Sequence, residues 1–263
     1  MNFSLYFCRQ FITLLNLKNT WREPCLAIPA HNLVCMRALP NLRTITHYKY
    51  SMTVEMKDAS LALESKSLFH NLSFVVSGGE MLCVMGESGC GKTTLLRCIL
   101  GFQPLDEGSV SIGGTELTPL SAEYMRSVMA YVPQEVNLPC NTVAELVALP
   151  YQLRVNRDKR FSKEALMDQW VRLRLDETLY DKRMAEVSGG ERQRIMLSMA
   201  GLLDKKVLLV DEPTSALDVD SALLVAGYLQ SLAKRGAAII AVSHDRAFAG
   251  QCDKTLMLKL NNQ

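Results

Sequence analysis

The run Gly86-Glu87-Ser88-Gly89-Cys90-Gly91-Lys92-Thr93 has the spacing G-x-x-x-x-G-K-[ST], directly after an apolar stretch and directly before a helical one. Glycines let the backbone curl until several N–H groups converge on phosphate oxygens. A helix beginning near Lys92, with Thr94 in its first turn, adds its positive end. Lys92 would reach the β- and γ-phosphates, and the Thr93 hydroxyl would ligate Mg2+. A ligand-free glycine turn would not need strand, Lys-Thr and helix together. A second group follows in Val207-Leu-Leu-Val-Asp211-Glu212-Pro213, where two acids end an apolar run. Ligands of open α/β sheets sit at that end of the strands. Asp211 is placed to hold the metal opposite Thr93, and Glu212 to orient or deprotonate a water attacking the γ-phosphate. A solvated turn would explain a lone acid pair, but not one following four aliphatics. His244, after the apolar run Ala237–Val242, reaches the same edge; a lone histidine is otherwise a satisfied polar residue.

The elements positioning these groups alternate in type. Thr53–Lys57, Leu72–Val76 and Glu80–Met85 read as strands, and Thr93–Leu100 as a helix closed by Gly101. Residues 142–183 carry helical spacing with many charges, while Val207–Val210 and Ala237–Val242 suit buried parallel strands. This predicts an α/β fold with a mostly parallel sheet and a helical insertion. The net charge of +2, with 21% charged and 48% hydrophobic residues, gives no polyanion-binding stripe and argues against nucleic acid as a partner. Six basic residues and one acid make residues 1–50 the basic part. Three scattered prolines and no periodicity make 1–51 an irregular arm, with the patterned domain at 52–263; a start assigned too early, ahead of Met52, would explain it. Eight cysteines without paired spacing read as reduced thiols of a cytosolic protein. No apolar window approaches the roughly 18 residues of a membrane helix, and Phe11–Leu17 is short for a signal peptide.

Between the phosphate loop and the acids stands Val187-Ser188-Gly189-Gly190-Glu191-Arg-Gln193-Arg194. It opens a helix with a hydroxyl, two glycines and N–H groups, which makes a second anion site. One chain rarely needs two, so each nucleotide would lie between Gly86–Thr93 of one subunit and Ser188, Gly189, Gly190 and Glu191 of another, in a head-to-tail homodimer. The run resembles the signature of ATP-binding-cassette (ABC) proteins, and the resemblance extends from Thr53 to about Leu260. It implies a P-loop NTPase core with an antiparallel β edge, a helical subdomain at about 137–200, and ATP with Mg2+ as ligands. Gln134, in Tyr131-Val-Pro-Gln134, is similar to the family's Q-loop glutamine, which senses the metal and takes part in catalysis. Ser215-Ala-Leu-Asp218 is similar to the D-loop, and His244 to the switch histidine. Two departures are mild: valine at 187 for leucine and Glu191 for glutamine. A third matters more, because Leu61 or Leu63 stands where the family places an aromatic on adenine. Stacking is worth roughly 0.5–1.5 kcal/mol beyond burial, so base discrimination should be weak.

Two functions compete under this resemblance. The first is the ATPase subunit of a transporter, peripheral on the cytoplasmic face of the inner membrane, driving separate transmembrane permease subunits. Tyr151, Phe161 and Trp170 of the helical block are candidate contacts for the permease or core residues. The second is a non-transport ATPase in DNA repair or translation, which calls for a long coiled coil or a second cassette. The chain carries neither heptads nor a second cassette. Thr142–Arg154 is similar to small bacterial ATPases of metal or iron export.

Overall fold

The computed structural model describes residues 52–63, 66–135 and 139–259. The expectations placed on the arm at 1–51 lie outside them. In chain order the strands are β1 (Thr53–Leu63), β2 (Lys66–Ser77), β3 (Met81–Met85), β4 (Glu107–Ile112), β5 (Thr115–Glu116), β6 (Met129–Val132), β7 (Val207–Asp211), β8 (Ala238–Val242) and β9 (Lys254–Met257). The helices are α1 (Lys92–Ile99), α2 (Ala122–Val128), α3 (Val143–Ala148), α4 (Lys163–Arg172), α5 (Gly189–Leu203), α6 (Val219–Lys234) and α7 (Arg246–Ala249).

Strands β3, β7 and β8 are buried along their whole length, which is why they read as apolar runs without alternation. They form a parallel sheet in the order β6-β7-β8-β3-β9. Successive side chains still point to opposite faces. Met81 and Cys83 of β3 join one core with Ile239, Trp170 and helices α5 and α6; Leu82 and Val84 join another with Ile240, Leu95 and Ile99 of α1. The second core is closed by an antiparallel sheet in the order β2-β1-β4-β5, through Val54, Met56 and Val110. Helix α1 is therefore packed between two sheets.

The register settles where the chemistry emerges. Val84 of β3 and Asp211 of β7 both pair with Val242 of β8. Three loops, beginning at Gly86, Glu212 and Ser243, thus leave the sheet at one edge. The block between Thr142 and Leu203 is helical but broken. Thr142 caps α3 by accepting from the Glu145 N–H, and Pro150 falls in a 3-10 turn, Leu149–Gln152, that ends it. Ser162 caps α4 in the same way. Trp170 is buried with its indole N–H donating to Ser198 Oγ at 3.1 Å, so this aromatic is a core residue. Both β1 and β2 run longer than their sequence pattern: irregularities in the β1–β2 register between Met56 and Ala62 break the alternation, although Ala59, Leu61, Leu68 and Phe69 still enter the core.

Candidate active site

The phosphate loop is shaped by close approaches. A Cβ at Gly86 would lie 2.6 Å from Cys90 Sγ and from the Leu258 carbonyl oxygen. Gly91, at φ +99°, caps α1 against Leu68, whose Cβ would be 3.1 Å from an added one. Gly86 has no room for a side chain, and at Gly91 the positive φ favours glycine. Glu87, Ser88 and Gly89 form the exposed crown, whereas Cys90 is fully buried and belongs to the core by its side chain. Thr93 and Thr94, half-buried, follow at the helix start. Lys92 is 9% exposed and folds back along the loop, donating to the carbonyls of Gly86 at 2.9 Å and Glu87 at 3.1 Å.

Across from the lysine stand the two acids. Asp211 Oδ2 accepts from the Tyr131 hydroxyl at 3.3 Å, while its buried Oδ1 has no hydrogen-bond partner. Burial pushes this carboxyl up from its ordinary range; the Thr93 hydroxyl draws it down, and the charge of Glu212 pushes it up again. An unmatched buried carboxylate oxygen beside a threonine hydroxyl fits a hard divalent cation such as Mg2+. Glu212 follows in the left-handed region at φ +47°, a conformation that costs a non-glycine residue about 1–2 kcal/mol. Its N–H donates to the Val242 carbonyl at 2.9 Å, and its own carbonyl accepts from the Ser215 hydroxyl at 3.2 Å. Held this way, the side chain bridges two partners: Oε2 lies 2.9 Å from His244 Nδ1 and Oε1 lies 3.8 Å from Lys92 Nζ. The glutamate is 10% exposed and the histidine 68%, so the histidine faces outward from the acid.

The Ser188 region is built separately. Ser188 caps α5 with a reciprocal pair: its hydroxyl accepts from the Glu191 N–H at 3.2 Å, and Glu191 Oε2 accepts from the Ser188 N–H at 2.9 Å. The same Oε2 also accepts from the hydroxyl at 2.7 Å. These bonds hold the Glu191 carboxyl below its usual value. Ser188 and Gly189 are exposed, so the start of α5 opens to solvent. Gly190 packs on the segment after Glu212, where an added Cβ would meet Leu217 Cδ2 at 2.9 Å and the Ala216 carbonyl at 3.0 Å.

The structure thus brings Lys92, Asp211, Glu212 and His244 together and leaves Ser188–Glu191 on a surface of its own. Gln134 is exposed, two residues beyond the end of β6, and takes no part in the hydrogen bonds just described. Of the two leucines expected at the adenine position, Leu61 is buried in the core at 2% exposure and Leu63 is exposed at the end of β1. Tyr131 was not singled out by motif. The signal was its place on β6, whose register with β7 pairs Tyr131 with Leu209, two residues before Asp211.

A family model described as ABC transporter matches residues 69–215, more than half of the chain. The chain belongs to the ABC transporter family. Among curated relatives, the bacitracin export ATP-binding protein BceA of Halalkalibacterium halodurans is 31% identical over 212 residues, covering 77% of this chain and 82% of that one. The methionine import ATP-binding protein MetN of Brucella abortus is 33% identical over 226 residues, 82% of this chain and 60% of its own. The spermidine/putrescine import ATP-binding protein PotA of Pasteurella multocida is 31% identical, covering 78% of this chain and 55% of its own. The cassette therefore spans little more than half the length of these two importers' subunits. Among solved structures, the dimeric bacterial ABC transporter cassette MJ0796 superposes with a TM-score of 0.68 at 25% identity, over 78% of this chain and 94% of that one. A bacterial Atm1-family ABC exporter shares the fold, with a TM-score of 0.69 at 22% identity over 80% of this chain and 38% of that one.

Proposed function

We propose that this cassette hydrolyses ATP as the subunit that drives a separate membrane-spanning permease, working as a head-to-tail pair. The observation that carries the reading is Glu212, buried and held at positive φ between Lys92 and His244. An acid fixed beside the phosphate-loop lysine is placed to accept a proton from water attacking the terminal phosphate. Lys92 would exchange its contacts with loop carbonyls for phosphate oxygens, and His244 would orient the acid and bond the leaving phosphate. Thr93 and Asp211 would hold Mg2+, which neutralises charge on the phosphates when bound. Gln134 would complete that shell from the loop after β6. Ser188 and the amides at the start of α5 would meet the nucleotide of the partner subunit.

Relatives named for methionine import, polyamine import and bacitracin export support a transport role, with cargo chosen by the permease. Among the described residues no helix is long and apolar enough to cross a membrane. In this reading the path belongs to separate permease subunits, and the cassette sits at their cytoplasmic face.

The test is phosphate release by the purified chain with MgATP. Glu212→Gln keeps size but cannot accept the proton, and should lower turnover by about 10²–10⁴-fold with ATP binding retained. Near-normal turnover in that variant would remove Glu212 from the mechanism, and a wild-type chain that neither binds nor hydrolyses ATP would remove the function.

A further inference from the structure

The start of β2 runs along the phosphate loop. Leu68 lies under Gly91, and two residues earlier the Lys66 ammonium donates to the Gly89 carbonyl oxygen at 3.3 Å. Lys66 is exposed, and an ammonium has three N–H donors to place. Gly89, at φ +78°, has nothing within 4 Å of the position a Cβ would take, so the crown of the loop is open where this lysine reaches it. The posture matches that of Lys92, which also rests on loop carbonyls. Two cations thus flank one phosphate loop, one from the loop itself and one from the hairpin.

The neighbours of Lys66 sharpen the point. In the β1–β2 register it pairs with Leu63, the exposed one of the two leucines expected at the adenine position. An aliphatic side chain there offers burial without the attraction of a stacked ring. The crown also carries an exposed acid, Glu87, whose charge opposes a polyphosphate. A cation directly across the strand pair from Leu63 meets both deficits.

We propose that Lys66 is a second phosphate-binding cation of this cassette, gripping the nucleotide's phosphate chain from the hairpin while Lys92 holds it from the loop. The inference rests on the phosphate loop being a nucleotide site, as proposed above. It assigns to charge a share of the affinity that relatives with an aromatic obtain from the base.

The experiment measures affinity for MgATP, and for inorganic tripolyphosphate by competition, in wild type, Lys66→Met and Lys66→Arg. One charge-assisted hydrogen bond is worth about tenfold in affinity, so Lys66→Met should weaken both ligands by about that factor, Lys66→Arg should restore most of it, and rising salt should narrow the gap. The melting temperature of the nucleotide-free protein should stay unchanged across the three. Equal affinities in wild type and Lys66→Met overturn the proposal. Weakening of ATP without tripolyphosphate also overturns it, since the effect would then lie at the base. A drop in nucleotide-free melting temperature that accounts for the weakening would make Lys66 a prop for the loop, which overturns it as well. If wild type binds neither ligand, the nucleotide site itself fails and this inference falls with it; if wild type binds and only the Lys66 comparison fails, the site stands.

Discussion

Asp211 and Glu212 are adjacent acids that the structure treats in opposite ways. Glu212 has both carboxylate oxygens occupied by cationic or ionisable partners, whereas Asp211 keeps one buried oxygen unmatched. A carboxyl raised in the folded state favours folding when protonated, so the penalty is absent below the ordinary range near 3.8 and grows as pH rises through the raised value. The nucleotide-free protein carries that penalty above the ordinary range. Asp211→Asn should therefore raise the melting temperature at neutral pH, by about 2–4 °C for each kcal/mol released, while weakening Mg2+-dependent ATP binding. The stabilisation should shrink as pH falls through the raised value toward the ordinary 3.8 and vanish below it. A lower melting temperature for the variant at neutral pH would show that the unmatched oxygen is satisfied in solution. The acids themselves were legible because they end an apolar strand. The strained backbone of Glu212 was not, since no local sequence signal marks a left-handed glutamate: its φ is set by two bonds to residues outside its own strand, Val242 and Ser215.

At the scale of elements, the buried parallel strands and α1 were legible from apolar runs and from the glycine-lysine boundary. The outer halves of β1 and β2 were not, because irregularities in their register break the apolar alternation. The contact between the start of α5 and the segment after Glu212 was also invisible in sequence, because it joins loops that are distant along the chain. It sets Gly190 directly against the segment that follows the acids. Gly190→Ala should force Leu217 and the Ala216 carbonyl apart from α5, since contacts of 2.9 and 3.0 Å leave no room for a methyl. Alanine favours the helix interior by up to about 1 kcal/mol over glycine, which offsets part of that strain. The melting temperature should move by only a few degrees, and turnover should fall at least tenfold as the Ser215–Asp218 segment shifts. Unchanged turnover with unchanged stability would mean that this segment yields without consequence for the site.

The molecule presents a glycine-rich loop with a lysine resting on its carbonyls and, on another surface, a capped helix start open to solvent. The capping pair explains why Ser188 can wait in solvent. Its hydroxyl and N–H are satisfied by Glu191, so the exposed turn stays helical without a ligand. A partner's nucleotide would then meet a preformed turn rather than order one, which lowers the entropic cost of pairing. Pairing should depend on ATP and on both surfaces at once. In Glu212→Gln, where slowed turnover should let the ATP-bound state accumulate, MgATP should shift the chain from monomer to dimer by light scattering, and ADP should not. Adding Ser188→Arg to that background should keep it monomeric, because a long cation at the helix start obstructs the facing subunit and opposes the positive end of α5. Losing the serine cap costs about 1 kcal/mol, so the double variant should remain folded and still bind ATP, and both are measured in the same preparation. A Ser188→Arg chain that binds ATP and dimerises normally would detach the Ser188 surface from the interface. A wild-type chain that hydrolyses ATP at full rate as a monomer would remove the composite site altogether, since both halves of the chemistry would then have to come from the loops at one edge of a single sheet.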